Sequence, residues 1–285
     1  MESVSKRPHP EASTQCPLAV AAERYFYKPM AIFFNAFHLR AFQTAGMQWV
    51  SPVLDVGCSD GEFGVILARV VGSPGEMTGV ELSADAIQRA GDEARALYTN
   101  LLCANATDLP FEAGTFNTVV INASLTSIHP GLEKAMKEVH RVLREGGVFY
   151  ATVCTERYEQ QYWLSRALNR LGCRRWARRY MDSMNRRMQQ GHLYAPERWA
   201  ELFEENRFKV VEMFGFLPLA LTPLWSFLAW TPLRLHGAFK RVPCARLHRG
   251  LAALYEKLFR GLYERTPPKL DPEQSGYIFI KAVKE

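Results

Sequence analysis

The stretch that decides the fold is "VLDVGCSDGEFG", which runs from Val53 to Gly64. An apolar run carries one carboxylate and is followed by closely spaced glycines, a pattern that predicts a buried strand turning sharply into a helix. The glycine spacing differs from the G-x-G-x-x-G of a dinucleotide site. Because Asp55 and Asp60 make the turn acidic, we expect it to repel a pyrophosphate and to favour a cationic or amino-bearing ligand.

Strand and helix patterns alternate along most of the chain on both sides of this turn. The apolar runs are continuous, which is typical of strands covered on both faces of a parallel sheet. Strands are predicted at 53–57, 77–82, within 100–111, at 116–124, 148–154, 208–214 and within 275–285. We therefore predict an α/β fold, with a seven-stranded, mostly parallel, Rossmann-like sheet, helices on both faces and helical cap insertions.

Two of the connecting helices have ends that the sequence defines. One is predicted over 83–98, because Ser83 is a good N-cap. The other is predicted over 131–147, where Gly146 is expected to close it.

Breaks in the alternation define the expected domain organisation. Residues 1–18 are polar and contain prolines, so we expect a disordered N-terminus without the apolar core of a secretory signal. Residues 19–50 are predicted to form an N-terminal helical cap. Residues 51–285 are predicted to form one domain, with helical insertions at 155–191 and 217–270.

Charge and cysteine content exclude some classes of protein. The net charge of +6 over 285 residues allows an anionic partner without identifying it. The six cysteines form no C-x-x-C pair and lie at no metal-ligand spacing from a histidine. We therefore expect neither a disulfide framework nor a metal site, and a cytoplasmic location.

A further carboxylate follows the second predicted strand. Glu81 is the penultimate residue of the run "TGVEL", at a position where a carboxylate can accept hydrogen bonds from both hydroxyls of a ribose. Ligands bind at the carboxyl ends of the strands in such a sheet, so this side chain and the glycine turn are expected to share one site.

Residues 55–61 followed by Glu81 resemble the first two motifs of the class I S-adenosylmethionine-dependent methyltransferases. "RVLREGGVFYATV" and "HLYAPERWAELFEENRFKVVE" resemble the ubiquinone/menaquinone-type branch of that family, also called type 11. The likeness covers roughly 50–155, 190–216 and the last strand. It implies a methyltransferase sheet and the cofactor S-adenosyl-L-methionine.

The resemblance also implies a set of cofactor-binding residues. In "ANATDLPF" the backbone of Ala106 would contact the adenine, and Asn105 stands where the family often has Asp. Ser59 likewise stands where the family often has Gly. The implied set is Asp55, Gly57, Cys58, Ser59, Asp60, Gly61, Glu81, Leu82, Asn105, Ala106 and Asn122.

The insertions are expected to form the acceptor side of the site. Met213 to Leu233 contains no charged residue, yet prolines including Pro218 and Pro232 divide it, so short helices on an apolar surface are favoured over one membrane span. Arg234 to Arg265 carries eight basic and two acidic residues, with leucines at helical spacing.

Two interpretations of these insertions stay open. Basic amphipathic helices are typical of peripheral membrane proteins, and the arginine-rich segment 174–187 adds to the attraction for anionic headgroups. The same helices can instead cap a pocket within the protein. Both interpretations predict a hydrophobic small-molecule or lipid-like acceptor. Nucleic acid is disfavoured, because the arginine clusters alternate with apolar helix faces. The oligomeric state stays open.

A general base would assist transfer to a hydroxyl acceptor. His129 is the first candidate, since it follows the fourth strand, and His192 and Tyr194 are expected to line the same pocket. The predicted function is methyl transfer by in-line displacement, with the protein mainly positioning the reactants. The alternative is a non-catalytic binding or scaffold protein at a membrane surface.

Overall fold

The computed structural model describes residues 15–223 and 244–285. Seven strands form one sheet with the order β3-β2-β1-β4-β5-β7-β6. Their bounds are β1 Val53–Val56, β2 Met77–Glu81, β3 Asn100–Cys103, β4 Phe116–Asn122, β5 Leu143–Cys154, β6 Phe208–Gly215 and β7 Tyr277–Lys284. Strand β7 is antiparallel to its two neighbours β5 and β6, and the other pairings are parallel. The predicted seven-stranded, mostly parallel sheet is confirmed.

Helices cover both faces of this sheet. Among the described residues they are α1 Pro17–Arg24, α2 Pro29–Thr44, α3 Glu62–Val71, α4 Ala84–Gln88, α5 Asp92–Leu97, α6 Leu132–Val142, α7 Trp163–Arg170, α8 Arg174–Met188, α9 Pro196–Glu205 and α10 Ala245–Arg265. Alternation along β5 separates the two faces: Tyr150 packs in the core formed with α1, α2, α3 and α10, whereas Phe149 packs in the core formed with α6 and α9.

The direction of the chain changes between β1 and β4, which are neighbours in the sheet. From β1 the chain runs outward through β2 and β3, then crosses back to β4 on the other side. In open α/β sheets this switch point opens a crevice at the carboxyl ends of the strands. The glycine turn follows β1 directly and therefore lies at that crevice.

The single helix predicted over 83–98 is wrong. Ser83 does cap a helix, its hydroxyl accepting a hydrogen bond from the Ala86 amide at 3.3 Å, but α4 ends at Gln88. Gly91 has extended backbone angles (φ −78°, ψ 173°) and starts the separate helix α5. The break turns the chain, and Tyr98 follows α5 as a buried residue.

The helix predicted over 131–147 is too long. It ends at Val142, and Leu143 already pairs with Phe116 as the first residue of β5. Gly146 lies within this strand with a φ of +70° instead of ending the helix. The pairing with β4 begins earlier than the helical pattern suggests, and the register shifts between Phe116 and Thr118 to accommodate it.

The ends of the predicted segments also differ from the structure. Helix α1 begins at Pro17 and buries Leu18, so ordered structure starts inside the range expected to be disordered. Residues 1–14, and the part of the apolar insertion from 224 to 233 that includes Pro232, lie outside the described residues. None of the described helices combines the length and the apolar character that crossing a bilayer requires.

Candidate functional site

A cavity of about 620 Å³ opens at the carboxyl ends of β1, β2, β3 and β4. Its lining comes mainly from the segments that follow these strands. Six of the residues predicted to bind the cofactor contribute to it: Gly57, Ser59, Glu81, Leu82, Asn105 and Ala106. Residues from three separate motifs are thus brought to one concave site, as expected for a ligand at the switch point.

Glu81 is held in place by the two segments that meet at this cavity. Its Oε2 accepts a hydrogen bond from the Ser59 amide and its Oε1 accepts one from the Ser83 amide, both at 3.0 Å. The carboxylate therefore links the β1–α3 turn to the start of α4. Each carboxylate oxygen keeps acceptor capacity beyond these bonds, which a ligand with hydroxyl groups can use.

The turn between β1 and α3 depends on its glycines. Gly57 and Gly61 both have a φ of +77°, a conformation that glycine adopts without strain. A Cβ on Gly57 would lie 2.4 Å from Ser124 Oγ, so no side chain fits there. Ser59 has a φ of +54° in spite of its Cβ, and its amide is the one that donates to Glu81.

Asn105 shapes the loop after β3 rather than only lining it. Its Oδ1 accepts a hydrogen bond from the Thr107 amide at 3.0 Å, and its carbonyl accepts one from the Asp108 amide at 2.9 Å. This Asx turn presents Ala106 at the cavity wall. Asparagine makes these contacts as well as aspartate would.

Asp55 is buried beneath the turn and is not among the residues that line the cavity. Its side chain is 5 % exposed, and Oδ2 accepts a hydrogen bond from the Tyr98 hydroxyl at 2.5 Å. Burial is the main cause that raises the pKa of this carboxyl to about 6; the Tyr98 hydrogen bond opposes the rise, and the charge of Glu81 adds to it. A direct contact between Asp55 and the cofactor stays a prediction.

Four other predicted cofactor residues also lie outside the cavity lining. Asp60 Oδ1 accepts a hydrogen bond from the Glu62 amide at 3.3 Å, and Gly61 is the N-cap of α3. Cys58 is buried, which raises the pKa of its thiol. Asn122 Oδ1 accepts a hydrogen bond from Thr152 Oγ1 at 2.7 Å. These contacts support the turn and the end of β4, and ligand roles for the four remain predictions.

The three proposed catalytic side chains come together beside the cavity. His129 lines it, and the centroid of its ring lies 5.2 Å from that of His192. His192 Nε2 lies 3.0 Å from the Ile128 carbonyl, so it donates there, and Nδ1 then accepts from the Tyr194 hydroxyl at 2.9 Å. Burial lowers the pKa of His192. His129 therefore faces the ligand space, and His192 with Tyr194 forms a neutral pair behind it.

Several lining residues were missed by the sequence analysis. Ser124 and Ser127 follow β4 directly, and the position of that strand end at the switch point would have identified them. Gln189 ends α8 with a φ of +54° and brings the arginine-rich insertion to the cavity. No motif in the sequence indicates Gln189.

Metal binding and disulfide bonding find no support in the part of the chain that the structure describes. No group of three or more His, Cys, Asp or Glu side chains is arranged to hold a metal ion there. All six cysteines are free thiols.

Comparisons with known proteins agree with this arrangement. Residues 53–147 match the family model described as a methyltransferase domain. A demethylmenaquinone methyltransferase of Staphylococcus aureus (strain MRSA252) is 35% identical over 119 residues, which cover 41% of this chain and 47% of the relative. A second one, from strain JH9, is 34% identical over the same length. The chain thus matches about half the length of these curated relatives.

Solved structures share the fold at low sequence identity. The geranyl diphosphate C-methyltransferase of Streptomyces coelicolor A3(2) superposes with a TM-score of 0.55 and 19% identity, over 90% of this chain and 80% of that one. The cyclase SpnF superposes with a TM-score of 0.52 and 16% identity, over 88% of this chain and 82% of that one. Residues 53–147, which include the glycine turn and Glu81, thus match a methyltransferase domain and are similar to part of the demethylmenaquinone methyltransferases. The solved structures share the fold of the chain.

Proposed function

We propose that this chain transfers a methyl group from S-adenosyl-L-methionine to a hydrophobic small-molecule or lipid-like acceptor. The observation that carries the proposal is the cavity at the switch point, which joins Glu81, the glycine turn and the loop after β3 to His129. One concave site thus contains groups suited to a nucleoside together with a group suited to proton transfer. Fold alone would not support this, since the same fold hosts unrelated reactions.

The residues present fit this cofactor. The fixed Glu81 carboxylate is an acceptor for ribose hydroxyls, and Leu82, Ala106 and Ile128 supply apolar surface for a purine ring. Gly57 brings the backbone to the cavity wall, where a Cβ would collide with the Ser124 side chain. When bound, S-adenosyl-L-methionine supplies an electrophilic methyl group on a positively charged sulfur. The acidic character of Glu81 and Asp60 favours a cationic ligand of this kind.

The chain contributes positioning and a route for the proton. The nucleophilic atom of the acceptor forms its bond to the methyl carbon as the carbon–sulfur bond breaks, and the electron pair of that bond stays on sulfur. In-line displacement of this kind depends mainly on alignment. A hydroxyl acceptor must also lose a proton, and His129 lines the cavity where it can accept that proton and pass it to solvent.

The relatives suggest the class of acceptor. Demethylmenaquinone, named in the curated relatives, is a quinone, so we propose a quinone-like ring as the acceptor class for this chain. The apolar part of the lining, which includes Ala123, Ile128 and Pro130, is consistent with a flat apolar ring. The labelled product identifies whether a carbon, oxygen or nitrogen atom receives the methyl group.

Contact with a membrane surface is the second proposal. Leu254 and Leu258 lie one turn apart on α10 and are 50% and 60% exposed. Arg246 and Lys257 are exposed residues of the same helix. Exposed leucines on a helix that also exposes basic residues suit a bilayer that contains anionic lipids, and a lipid-dissolved acceptor would reach the protein there.

Calorimetry with S-adenosylhomocysteine tests the cofactor assignment. We expect micromolar binding by the wild type and an affinity within twofold for His129→Gln, because the glutamine leaves the nucleoside contacts intact. Absence of binding by the wild type would refute the assignment.

Product analysis then separates an enzyme from a non-catalytic binding protein. The wild type is incubated with methyl-labelled cofactor and either a reduced naphthoquinone or a lipid extract. We expect labelled product, and a kcat about 100-fold lower for His129→Gln, since general base catalysis typically contributes that much. His140→Gln, a substitution on α6 outside the cavity lining, is the matched control. Tight cofactor binding with no labelled product from any acceptor would favour the non-catalytic alternative.

Flotation with vesicles tests the membrane proposal. The wild type is expected to float with phosphatidylglycerol-containing vesicles at low salt, and the double variant Leu254→Ser with Leu258→Ser is expected to stay at the bottom. Val211→Ser is the control, because Val211 is similarly exposed but lies on β6. Equal flotation of the double variant and the wild type would rule out α10 as the contact.

A further inference from the structure

The ring of Tyr98 lies in a slot whose walls are three glycines from three different elements. A Cβ would lie 3.0 Å from Tyr98 Cε2 if built on Gly61, 2.0 Å from its Oη on Gly64 and 2.9 Å from its Cε1 on Gly79. These glycines belong to the turn after β1, to α3 and to β2. An alanine at any of them would press on the same ring, which is itself buried.

The slot ends at a carboxylate that lies directly before the cofactor turn. The Tyr98 hydroxyl donates to Asp55 Oδ2 at 2.5 Å. Across residues 15–223 and 244–285, this hydroxyl is the hydrogen-bond donor that reaches the Asp55 side chain. A buried carboxylate without a donor is costly, so the rotamer and the charge of Asp55 depend on Tyr98.

The backbone that shapes the cofactor turn is in contact with the same slot. The amides of Gly57 and Cys58 both donate to the Val80 carbonyl, at 2.8 and 3.1 Å, which fastens the turn to β2. A Cβ on Gly79 would also lie 2.8 Å from Cys58 Sγ. Tyr98 therefore contacts the turn at Gly61, the strand behind it at Gly79 and the carboxylate before it at Asp55.

We propose that Tyr98 is a positioning residue for cofactor binding, which holds Asp55 and the turn at 57–61 in the shape that receives S-adenosylmethionine. The inference rests on the proposed function and assigns a role to a residue outside the cavity lining. The role explains why the chain has glycine at 64, inside a helix, and at 79, inside a strand. Neither position needs a positive φ. The room at 64 is taken by the tyrosine, and the room at 79 is taken by the tyrosine together with Cys58 and Leu101.

A pH profile separates positioning from packing. Burial raises the pKa of Asp55 to about 6, and the Tyr98 hydrogen bond holds it below the value that burial alone would give. The charged and titratable groups around it are Tyr98 after α5, Glu81 on β2, and Cys58 and Asp60 in the turn. Removal of the hydroxyl should raise the pKa of Asp55, and the loss of cofactor affinity on acidification should then begin at a higher pH.

The experiment measures the Kd of S-adenosylhomocysteine by calorimetry from pH 5 to 8 in the wild type and in Tyr98→Phe. We expect wild-type binding to weaken below about pH 6, and Tyr98→Phe to bind about tenfold more weakly at pH 7.5, the usual effect of a hydrogen bond to a charged group. The midpoint of its acid limb should lie at a higher pH than in the wild type. Asp55→Asn should bind S-adenosylhomocysteine weakly at every pH, without the loss of affinity on acidification that Asp55 causes.

Tyr150→Phe is the matched control for the loss of a buried hydroxyl. The Tyr150 hydroxyl contacts the Gln48 backbone, away from the cavity lining, so this variant should keep the wild-type affinity and midpoint. Gly64→Ala should weaken binding in the wild type and weaken it less in the Tyr98→Phe background, where the atom at 2.0 Å is gone. Gly91→Ala is its control, because nothing lies within 4 Å of a Cβ there.

The outcomes separate this inference from the proposed function. If the wild type does not bind S-adenosylhomocysteine, both are overturned. If the wild type binds and Tyr98→Phe has the same affinity, the inference alone is overturned. A weaker Tyr98→Phe whose midpoint equals that of the wild type would indicate a packing role, and it too would overturn the inference. Circular dichroism of each variant confirms that the fold is intact.

Discussion

The molecule has a cofactor region, residues 53–147, and a cap region, whose described residues are 155–191, 217–223 and 244–270. The two regions differ in how tightly contacts fix their residue types. In the cofactor region a Cβ on Gly57 would lie 2.4 Å from a side-chain atom, and both Glu81 oxygens are bonded to backbone amides. In the cap region Gln189 is the lining residue of the cavity, and the surrounding helices expose arginines. Tight backbone geometry restricts the residue types that fit the cofactor region, whereas exposed helical positions in the cap region accept a wider range of side chains.

This difference explains why the sequence indicates the methyltransferase domain more clearly than it indicates the acceptor. The family model matches within 53–147 and stops before the cap region. Many proteins of one fold bind the same cofactor and need the same contacts for it, but each binds its own acceptor and needs different contacts for that. Variants in the cofactor region should therefore change cofactor affinity, whereas variants in the cap region should change the KM for the acceptor.

The largest expected effect concerns two buried ionisable groups, Asp55 in the cofactor region and His38 on the N-terminal helix α2. Burial raises the pKa of Asp55 to about 6 from the ordinary value of 3.8, so below pH 6 the folded chain holds a proton that the unfolded chain releases. Stability from this group therefore falls as the pH rises from 3.8 to 6. His38 on α2 packs against the rings of Phe216 and Tyr277, and burial lowers its pKa to about 4 from 6.5. Its contribution to stability has the opposite sign and is lost as the pH falls from 6.5 to 4.

Each group contributes on the order of 3 kcal/mol across its window. We expect the acid loss of stability to be steeper in Asp55→Asn and shallower in His38→Phe than in the wild type. Urea unfolding at pH 4.5, 5.5 and 6.5 measures the slope of the unfolding free energy. His248→Phe, a half-buried histidine on α10, is the control. Parallel slopes in all four proteins would contradict the opposed signs.

The second prediction concerns Glu81, the carboxylate of the cofactor region that is exposed to the ligand. Glu81→Ala removes the acceptor of two backbone amides and of the ribose hydroxyls, so S-adenosylhomocysteine should bind about 100-fold more weakly, a loss of about 3 kcal/mol. Glu81→Gln keeps one oxygen acceptor and should lose less. Glu133→Ala, an exposed glutamate in the first turn of α6, should bind like the wild type. Wild-type affinity in Glu81→Ala would refute the ribose assignment.

Much of the cofactor region could be predicted because its signals are local. The seven strands and the cavity residues Gly57 and Glu81 follow from apolar runs, glycines and strand ends, each visible within a few positions. Ala106 follows from the family resemblance. Asp55 lies on the first strand as expected, and its direct contact with the cofactor stays a prediction. Its partner Tyr98 is 43 positions away, and nothing local shows that a tyrosine enters a slot made by glycines.

The cap region could be predicted only as helical and basic. Periodicity identified the helical character of α8 and α10, but not that Gln189 would reach the cavity, since that depends on how α8 docks at the turn after β4. One such contact is the Gly191 amide, which donates to the Thr126 carbonyl at 2.8 Å. Contacts of this kind join segments far apart in the chain and leave no spacing pattern. The positions of prolines and arginines indicate where the cap helices end and which of their faces are exposed, but they do not indicate which side chains reach the cavity.

The third prediction compares one glycine from each region. Gly57→Ala introduces both a strained φ and a collision with Ser124, so we expect S-adenosylhomocysteine to bind about tenfold more weakly and the unfolding free energy to fall by about 1–3 kcal/mol. Gly172, in the turn between α7 and α8, has a similar φ of +74° with nothing within 4 Å of a Cβ. Gly172→Ala should reduce stability by about 1 kcal/mol and leave cofactor binding unchanged. Equal loss of binding in both variants would mean that strain, and not the collision, governs the turn.

The smallest expected effect belongs to Gln189, because it is exposed and contacts the cavity from a surface helix. Gln189→Ala should change the KM for the acceptor about threefold, the size expected for one neutral hydrogen bond of about 0.5–1 kcal/mol, with cofactor affinity within twofold. Gln189→Gly removes the same side-chain amide, so it should change the acceptor KM by the same factor. Because glycine adopts a φ of +54° without strain, this variant should be more stable than Gln189→Ala. Steady-state kinetics with the acceptor identified by product analysis measures both. A change in cofactor affinity larger than the change in acceptor KM would show that the cap region helps to bind the cofactor. It would contradict the assignment of cofactor binding to one region and acceptor binding to the other.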